Sequence, residues 1–368
     1  MKRLLLIVLP LLLIVGCSSS PPDYYRKIIN NYSDNNLIGI YPIIDGDLTN
    51  VTGYHFIYDE NKRPIQIEYL RNGKISYGGP YLGIPIIKIS YQEGFENRTY
   101  YDQNGNKIDY KGVHKIRIKF NEDGHAISKF HYNMEGNLTE NNLGVAQYKY
   151  TINDKGWRIK SIRIDGRGNR IIDKAGIAEV RNNFDNDGNL IENRMYNIDE
   201  VLSEDENGIA MIRSKYDVNG NVIESSSFGA NEQLKEDKGG IAIIRTKYDE
   251  NGNIIEDKYF GTDEQLKENI YGIAMIRTKY DENGNTIEDK FFGIDEQLKE
   301  NKDGIAMIRS KYDVNGNVIE SSWFGANEQL KEDKNGIAIY QYKYDENGEH
   351  FKTVGYNISG EYVNEWKL

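Results

Sequence analysis

The chain has 368 residues and a formal net charge of −11, and it contains 28 Tyr and 11 Phe. An acidic surface repels the phosphate backbone of nucleic acids, so we expect no nucleic-acid partner. This number of aromatic residues also argues against intrinsic disorder, because disordered chains contain few such residues. Cys17 is the only Cys, so an intrachain disulfide is excluded.

The N-terminal segment, residues 1–16, is predicted to be a signal peptide. It starts with the charged residues Lys2 and Arg3, and an apolar run follows at 4–15. That run is too short to cross a bilayer as a helix, and its length is typical of a signal peptide.

The end of this segment reads Ile14-Val15-Gly16-Cys17, which resembles the lipobox of bacterial lipoproteins. The resemblance implies cleavage before Cys17, acylation of the Cys17 thiol and anchoring in a lipid bilayer. It also implies a location in the cell envelope, and Ser18 favours the outer membrane or the cell surface over the inner membrane. The alternative is an ordinary secretory leader in which Cys17 is incidental.

Residues 17–52 are interpreted as the lipidated Cys, a tether and an N-terminal cap. Within them, Asp23–Asn31 is predicted to form one or two helical turns with Asp23 as the N-cap. Leu37–Ile44 is predicted to be a first, irregular strand.

Residues 53–357 are predicted to be tandem repeats, because one pattern recurs with a period of 32 residues. The position before each hairpin turn, called here the marker position, is occupied by Phe120, Ile152, Phe184, Tyr216, Tyr248, Tyr280, Tyr312 and Tyr344. Tyr58 and Tyr91 extend this series with small slips in spacing. A fixed period of this length indicates about ten stacked units, and residues 358–368 are predicted to cap the far end.

Each unit is predicted to be an antiparallel hairpin. Ile273–Tyr280 alternates as a strand does, Asp281–Asn285 contains the Asn-Gly pair typical of a tight turn, and Thr286–Phe292 returns. Folding the strands about this turn places Arg277 opposite Glu288. The same reasoning pairs Arg213 with Glu224, Arg245 with Glu256 and Arg309 with Glu320. The base of each hairpin is apolar on both faces and is expected to be buried. The predicted fold class is therefore an all-β array of antiparallel hairpins, either solenoid-like or a long twisted sheet.

The string Lys279-Tyr280-Asp281-x-x-Gly284-Asn285-x-Ile287 resembles the YD repeats of the Rhs family. The resemblance covers roughly residues 54–357 and implies hairpin repeats. In Rhs proteins, many such repeats form a shell around a toxin. The units here are longer and fewer, and no further C-terminal domain is expected, so neither a closed shell nor a toxin cargo is predicted.

Two groups of residues are candidate binding sites. His114 and His131 are predicted to face each other across one hairpin, but a metal site usually needs three or four ligands, so a metal-free pair is favoured and no cofactor is predicted. Tyr259, Phe291 and Trp323 occupy the same position in three units and are a possible partner surface. The alternative for these aromatic residues is an ordinary place in the core.

Enzyme signatures are missing: the sequence has no glycine-rich phosphate loop, no His-Glu-x-x-His and no Gly-x-Ser-x-Gly. We therefore expect a membrane-anchored binding or structural module that meets an envelope protein or a glycan, and not an enzyme. Two alternatives stay open. One is an envelope hydrolase with its site in the irregular repeats at 78–131, and the other is the remnant of a toxin-delivery repeat protein.

Overall fold

The structure is a computed structural model that describes residues 21–30, 35–43, 51–71, 73–77, 83–250, 252–281, 285–313, 317–345 and 350–367. The predicted signal peptide and Cys17 lie outside these ranges. The described residues form 24 strands that belong to one sheet. No helix in this part of the chain is long and apolar enough to cross a membrane.

The strands of the first third of the chain are Tyr24–Asn30 (β1), Leu37–Pro42 (β2), Gly53–Tyr58 (β3), Pro64–Arg71 (β4), Lys74–Ile75 (β5), Ile86–Gln92 (β6), Phe95–Tyr101 (β7), Lys115–Phe120 (β8) and Ala126–Tyr132 (β9). The next are Gln147–Ile152 (β10), Arg158–Ile164 (β11), Glu179–Phe184 (β12), Leu190–Tyr196 (β13), Met211–Tyr216 (β14), Val222–Phe228 (β15), Ile243–Tyr248 (β16) and Ile254–Phe260 (β17). The last are Met275–Tyr280 (β18), Thr286–Phe292 (β19), Met307–Tyr312 (β20), Val318–Phe324 (β21), Ile339–Tyr344 (β22), His350–Tyr356 (β23) and Tyr362–Lys367 (β24).

The strand order follows the chain with one exception at the start. β1 lies between β2 and β3, and β4 pairs with both the short β5 and β6. From β6 onward each strand pairs antiparallel with the next one, up to β24. Ten hairpins result, from β3–β4 to β22–β23, which confirms the predicted all-β hairpin array.

In the hairpin β14–β15, an Asp side chain and a Gly build the turn at Asp217–Asn221. The Gly220 N–H donates to the Asp217 carbonyl at 3.1 Å, and the N–H groups of Asn219 and Asn221 donate to Asp217 Oδ1 at 2.9 Å each. Gly220 has a φ of 82°, a region that a side chain disfavours. At the end of the hairpin next to this turn, a bulge between Lys215 and Tyr216 shifts the register by one residue.

Because of this turn and bulge, the predicted pairing of Arg and Glu within one hairpin is wrong. Lys279, and not Arg277, lies opposite Glu288. The Arg277 guanidinium reaches the preceding hairpin, where its Nε lies 2.8 Å from Glu256 Oε2. The corrected ion pairs therefore join neighbouring units, namely Arg213–Glu192, Arg245–Glu224, Arg277–Glu256 and Arg309–Glu288. They replace the predicted pairs Arg213–Glu224, Arg245–Glu256, Arg277–Glu288 and Arg309–Glu320.

The base of each hairpin is buried, as its apolar pattern predicts. Ala274 and Met275 have no exposed surface, and Ile273 is 3% exposed. One unit earlier, Ala242, Ile243 and Phe260 form a buried cluster, against which Leu234 and Leu266 of two successive units pack. Burial of apolar surface between units therefore holds the array together.

Both ends of the array carry a capping strand. At the start, the residues predicted as a helical turn form β1 instead, because Tyr and Ile favour an extended chain and β2 and β3 flank it. At the far end, β24 pairs with β23 and places Trp366 opposite Thr353. One unit earlier, Tyr340 of β22 lies in the equivalent place, opposite Ser321 of β21. β24 therefore covers the last hairpin as the first strand of a further hairpin would.

The first part of the sheet curls back on itself. The Arg98 guanidinium in β7 donates a hydrogen bond to the carbonyl of Asn35, which lies between β1 and β2. Three strands (β3, β4 and β6) separate β1 from β7, which is about 19 Å along a flat sheet at about 4.8 Å per strand. An Arg side chain cannot span that distance, so the sheet bends and encloses space between β1 and β9.

Candidate functional site

One position in seven successive units forms a continuous row on one face of the sheet. It lies 11 residues after the marker position and is occupied by His131, Arg163, Met195, Ser227, Tyr259, Phe291 and Trp323. Cross-strand partners of these residues are Ile116, Tyr148, Val180, Ile212, Ile244, Ile276 and Ile308, in the same order. We call the seven residues that lie 11 positions after the marker the cross-sheet row; their cross-strand partners are not part of it.

The C-terminal half of the cross-sheet row is aromatic, as the sequence predicts. Tyr259, Phe291 and Trp323 lie half-buried on the same face of three successive hairpins. Two strands separate each from the next, which is a spacing of about 10 Å. Burial raises the pKa of Tyr259 to about 12, so its hydroxyl stays protonated near neutral pH. The row thus presents regularly spaced rings that a flat partner can contact.

The last aromatic residue of the row also makes intramolecular contacts. The ring of Trp323 lies 5.0 Å from the ring of Tyr340, and Tyr340 lies 6.1 Å from Trp366. Tyr340 Oη donates to Asp333 Oδ2 at 2.7 Å. These contacts fix the orientation of the Trp323 ring, so part of its surface belongs to the fold.

The N-terminal half of the row contains the cation Arg163 and lies among further cations, which the sequence-based interpretation missed. Arg163 and His131 continue the count of 32 residues backward from the aromatic positions, and that count alone was the signal that could have found them. The side chains of Arg98, Lys129 and Arg158 lie near this end of the row. The face therefore changes from apolar at one end to positively charged at the other.

The two candidate metal-binding His residues do not face each other, so their predicted pairing is wrong. The register places Ile116 opposite His131. His131 Nδ1 donates to the carbonyl of Val145, and His114 Nδ1 donates to that of Ile108, each at 2.8 Å. Across the described ranges, no group of three or more His, Cys, Asp or Glu side chains is arranged to hold a metal ion.

Lys129 is the central cation of this region. It is half-buried in β9 between Ile118 and Tyr148, and its Nζ lies 4.9 Å from the centre of the Tyr148 ring. Burial, together with the charges of Arg158, Arg98 and Arg163, lowers the pKa of Lys129 to about 8. No carboxylate of the described residues lies within ion-pairing distance of its ammonium group.

Two of the neighbouring cations differ from Lys129 because carboxylates compensate them. Arg98 Nε lies 2.5 Å from Glu96 Oε1, and Arg163 Nε lies 3.1 Å from Asp173 Oδ2. The Arg158 guanidinium stacks 3.9 Å from the centre of the Tyr150 ring.

His131 is neutral near this cluster. Burial and the charge of Lys129 lower its pKa to about 4, although the hydrogen bond to Val145 acts in the opposite direction. Because a carbonyl only accepts, the proton of the neutral ring sits on Nδ1.

A cavity of about 250 Å³ lies beside Lys129, where the sheet curls. Its wall includes Asn35, Tyr100, Tyr110, Lys111 and His131, and no carboxylate is found among the described residues that line it. Lys129 also borders a second, more open cavity of about 380 Å³, whose wall includes Asp173 and Asp205. The first cavity is therefore positively charged, whereas the second carries both signs.

The fold and this face define a repeat protein of antiparallel hairpins with one chemically graded surface. The chain matches no family model and no curated protein sequence.

Solved structures with some similarity include the crystal structure of TcdB2-TccC3-Cdc42, which is 12% identical with a TM-score of 0.26. TcdB2-TccC3 without its hypervariable C-terminal region and a Tc holotoxin pore of Photorhabdus luminescens are each 10% identical, with TM-scores of 0.25. Each match covers 85% of this chain and 22% of the other chain. The chain thus spans about a fifth of the length of these proteins. TM-scores this low leave its function to be argued from its own residues.

Proposed function

We propose that the protein is an exported, membrane-anchored repeat lipoprotein that acts as a binding module at the cell envelope. The observation that carries this proposal is the alignment of Tyr259, Phe291 and Trp323 on one face of three successive hairpins. Half-buried rings are held in place by their neighbours and still offer a face to a partner. An extended partner, such as an envelope protein segment or a glycan, fits a row with a repeat of about 10 Å.

A comparison within the chain supports this surface. Residues 215–238 and 311–334 are identical except that Ser227 in the first corresponds to Trp323 in the second. The single difference falls on the cross-sheet row, while the turn, the ion-pairing residues and the buried residues are unchanged. A binding measurement tests whether this difference affects the surface.

The membrane anchor is a part of this proposal that rests on the leader alone. The lipobox-like sequence that ends in Cys17 supports acylation of that residue and a place at the outer membrane or cell surface. Metabolic labelling with a radioactive fatty acid tests this point. The wild-type chain should incorporate label and the Cys17→Ser variant should not, and labelling of that variant would contradict the anchor.

A hydrolase site in the repeats at 78–131 is less well supported than a binding module. Hydrolysis of a glycan by the usual route needs two carboxyl groups that flank the scissile bond. The cavity in this region is lined by Lys129, His131 and Lys111 and by no carboxylate of the described residues. We therefore propose that the protein is not an enzyme.

Substitutions in the aromatic half of the cross-sheet row test the proposed binding. The variant Tyr259→Ser, Phe291→Ser, Trp323→Ser should fold, because Ser227 already occupies the equivalent position. Its binding to isolated cell-envelope fractions, measured by co-sedimentation, should fall at least tenfold relative to wild type. The control is Tyr271→Ser, which removes an aromatic residue that is 60% exposed outside the row. Equal binding by the row variant and wild type would overturn the proposed surface.

A further inference from the structure

We infer that the cavity between Lys111 and Lys129 binds a small soluble phosphate monoester. This site differs from the aromatic half of the cross-sheet row, and it does not depend on the membrane anchor. The argument rests on charge, on a break in the repeat and on the size of the cavity.

Two ammonium groups at the cavity lack an acidic partner. Lys129 Nζ lies 4.9 Å from the Tyr148 ring, and Lys111 Nζ lies 5.1 Å from the Tyr110 ring. Neither has a carboxylate within ion-pairing distance in the part of the chain that the structure describes. Lys111 is exposed, but Lys129 is half-buried, and a half-buried charge without a counterion is costly. In a protein with a net charge of −11, acidic side chains are abundant, so their absence from this wall points to an anion that comes from outside.

Lys129 also differs from the residues that occupy its position in the following units. The equivalent residues of the next six units are Ser161, Asn193, Ser225, Asp257, Asp289 and Ser321. All six are small and either neutral or acidic, which suits a position that packs beside another strand. In the preceding hairpin, Arg98 takes the equivalent place, because it lies opposite Ile116 as Lys129 lies opposite Tyr148, and it also lines this cavity. Long cations at these two successive copies, beside a cavity whose described wall has no carboxylate, indicate a local role rather than a repeated structural one.

The remaining wall supplies polar and aromatic surface. Tyr100 and Tyr110 contact each other edge to face with ring centres 6.4 Å apart. Asn35 is 3% exposed, and its Nδ2 has no hydrogen-bond acceptor among the described residues. A ligand oxygen beside this wall would give that amide an acceptor. The positive wall and the neutral His131 leave no anionic group there to repel a phosphate.

The charge and the volume select the ligand class. A phosphate monoester carries a charge of about −1.5 to −2 at neutral pH and three acceptor oxygens, which matches two ammonium groups. Typical pockets for drug-sized ligands are about 300–1,000 Å³. A cavity of about 250 Å³ therefore fits a ligand no larger than a sugar phosphate, in which a Tyr ring can contact the apolar face of the sugar.

The test is isothermal titration calorimetry of the full chain with inorganic phosphate and with glucose 6-phosphate, at fixed ionic strength. Both ligands should bind wild type, with glucose 6-phosphate the tighter of the two, and glucose should not bind. Lys129→Met and Lys111→Met should each weaken binding of glucose 6-phosphate at least tenfold. The control is Lys155→Met, which removes an exposed lysine whose Nζ lies 4.6 Å from the Trp157 ring outside the cavity.

Stability measurements separate a ligand-binding lysine from a structural one. Without ligand, Lys129→Met should melt at the same temperature as wild type or higher, because the variant loses a half-buried charge that has no counterion. If Lys129→Met fails to fold, the exposed Lys111 supplies the second variant. The inference is overturned if wild type binds neither phosphate compound at millimolar concentration. Unchanged affinity in both cavity variants, or an equal loss in Lys155→Met, overturns it as well.

Discussion

Tyr280 Oη donates a hydrogen bond of 2.9 Å to the carbonyl of Ile254, which lies 26 residues earlier in the preceding hairpin. The same bond recurs from Tyr216 to Leu190, from Tyr248 to Val222, from Tyr312 to Thr286 and from Tyr344 to Val318. The Tyr of the Tyr-Asp pair therefore connects neighbouring units, which explains why its position repeats so regularly.

Removing this hydroxyl should weaken one junction of the array. Tyr280→Phe keeps the ring and loses the hydrogen bond, which should lower the free energy of unfolding by about 1 kcal/mol. The measurement is the midpoint of urea unfolding. Tyr271→Phe is the control, because the Tyr271 side chain is 60% exposed. Equal midpoints for both variants would show that the bond between the hairpins contributes nothing.

Much of the fold follows from local sequence. The period of 32 residues, the strands that end at the marker position and the buried Ile-Ala-Met segments depend on alternation and turn residues within one unit. The register of the strands does not follow from local sequence. The bulge after Lys215 is a response of the backbone to the turn, and no residue type marks it. The turn and the bulge together move the register by two residues, so Lys290, and not Glu288, lies opposite Arg277.

The candidate site was only partly predictable for a related reason. Tyr259, Phe291 and Trp323 share one face because equal spacing repeats the same environment. The cationic cavity depends instead on the contact between Arg98 and Asn35, which are 63 residues apart. Periodicity carries no information on how strongly a sheet curls, so Lys111 and Lys129 could not be placed at one cavity from the sequence.

The ion-pair ladder between hairpins should make the array sensitive to acid. Burial alone would raise the pKa of Glu288, but its hydrogen bonds to Lys279 and Arg309 outweigh that effect and lower the pKa. The pKa of Glu192, Glu224 and Glu256 is lowered in the same way. A carboxyl group with a lowered pKa in the folded state stabilises the fold above its unfolded pKa, and this stabilisation disappears as pH falls through the folded value. Stability should therefore decrease as pH falls below about 4.5.

Substitution of one residue of the ladder tests this prediction. At pH 7, Glu288→Gln should lower the free energy of unfolding by about 1 kcal/mol, since both cationic partners are largely exposed. Urea unfolding at each pH between 5 and 3 should show a shallower loss of stability for this variant than for wild type, because the variant lacks one group that takes up a proton on unfolding. Glu206→Gln, at an exposed turn, is the control. An identical pH profile for Glu288→Gln and wild type would contradict the role of the ladder.

The second turn of five successive units holds a Glu in the left-handed region, with a φ of 57° at Glu296. This conformation costs roughly 1 kcal/mol for a residue with a side chain. The Glu296 carboxylate compensates part of that cost, because Oε1 lies 2.7 Å from Lys258 Nζ. Glu296→Gly should change the free energy of unfolding by less than about 0.5 kcal/mol. Relief of backbone strain stabilises the variant, whereas loss of the ion pair and a more flexible unfolded chain destabilise it, and these effects nearly cancel. Glu296→Val should lower it by about 1–3 kcal/mol, since a β-branched residue resists positive φ. Urea unfolding of both variants checks the prediction, and a tolerated Val would show that the turn changes conformation.

Ser227 and Trp323 occupy equivalent positions, so each can be replaced by the other residue type. Trp323→Ser makes residues 311–334 identical to 215–238, so the variant should fold, but it loses the contact with Tyr340 at 5.0 Å. The free energy of unfolding should fall by about 0.5–1.5 kcal/mol, as expected for one lost aromatic pair. Ser227→Trp places a ring opposite Ile212, where no Tyr corresponds to Tyr340, so stability should change by less than about 0.5 kcal/mol. Urea unfolding and near-ultraviolet circular dichroism measure both effects. Ser227→Trp could instead lose as much stability as Trp323→Ser. The scaffold would then not tolerate an aromatic residue at every position of the cross-sheet row, and the aromatic residues would be a packing feature of particular units.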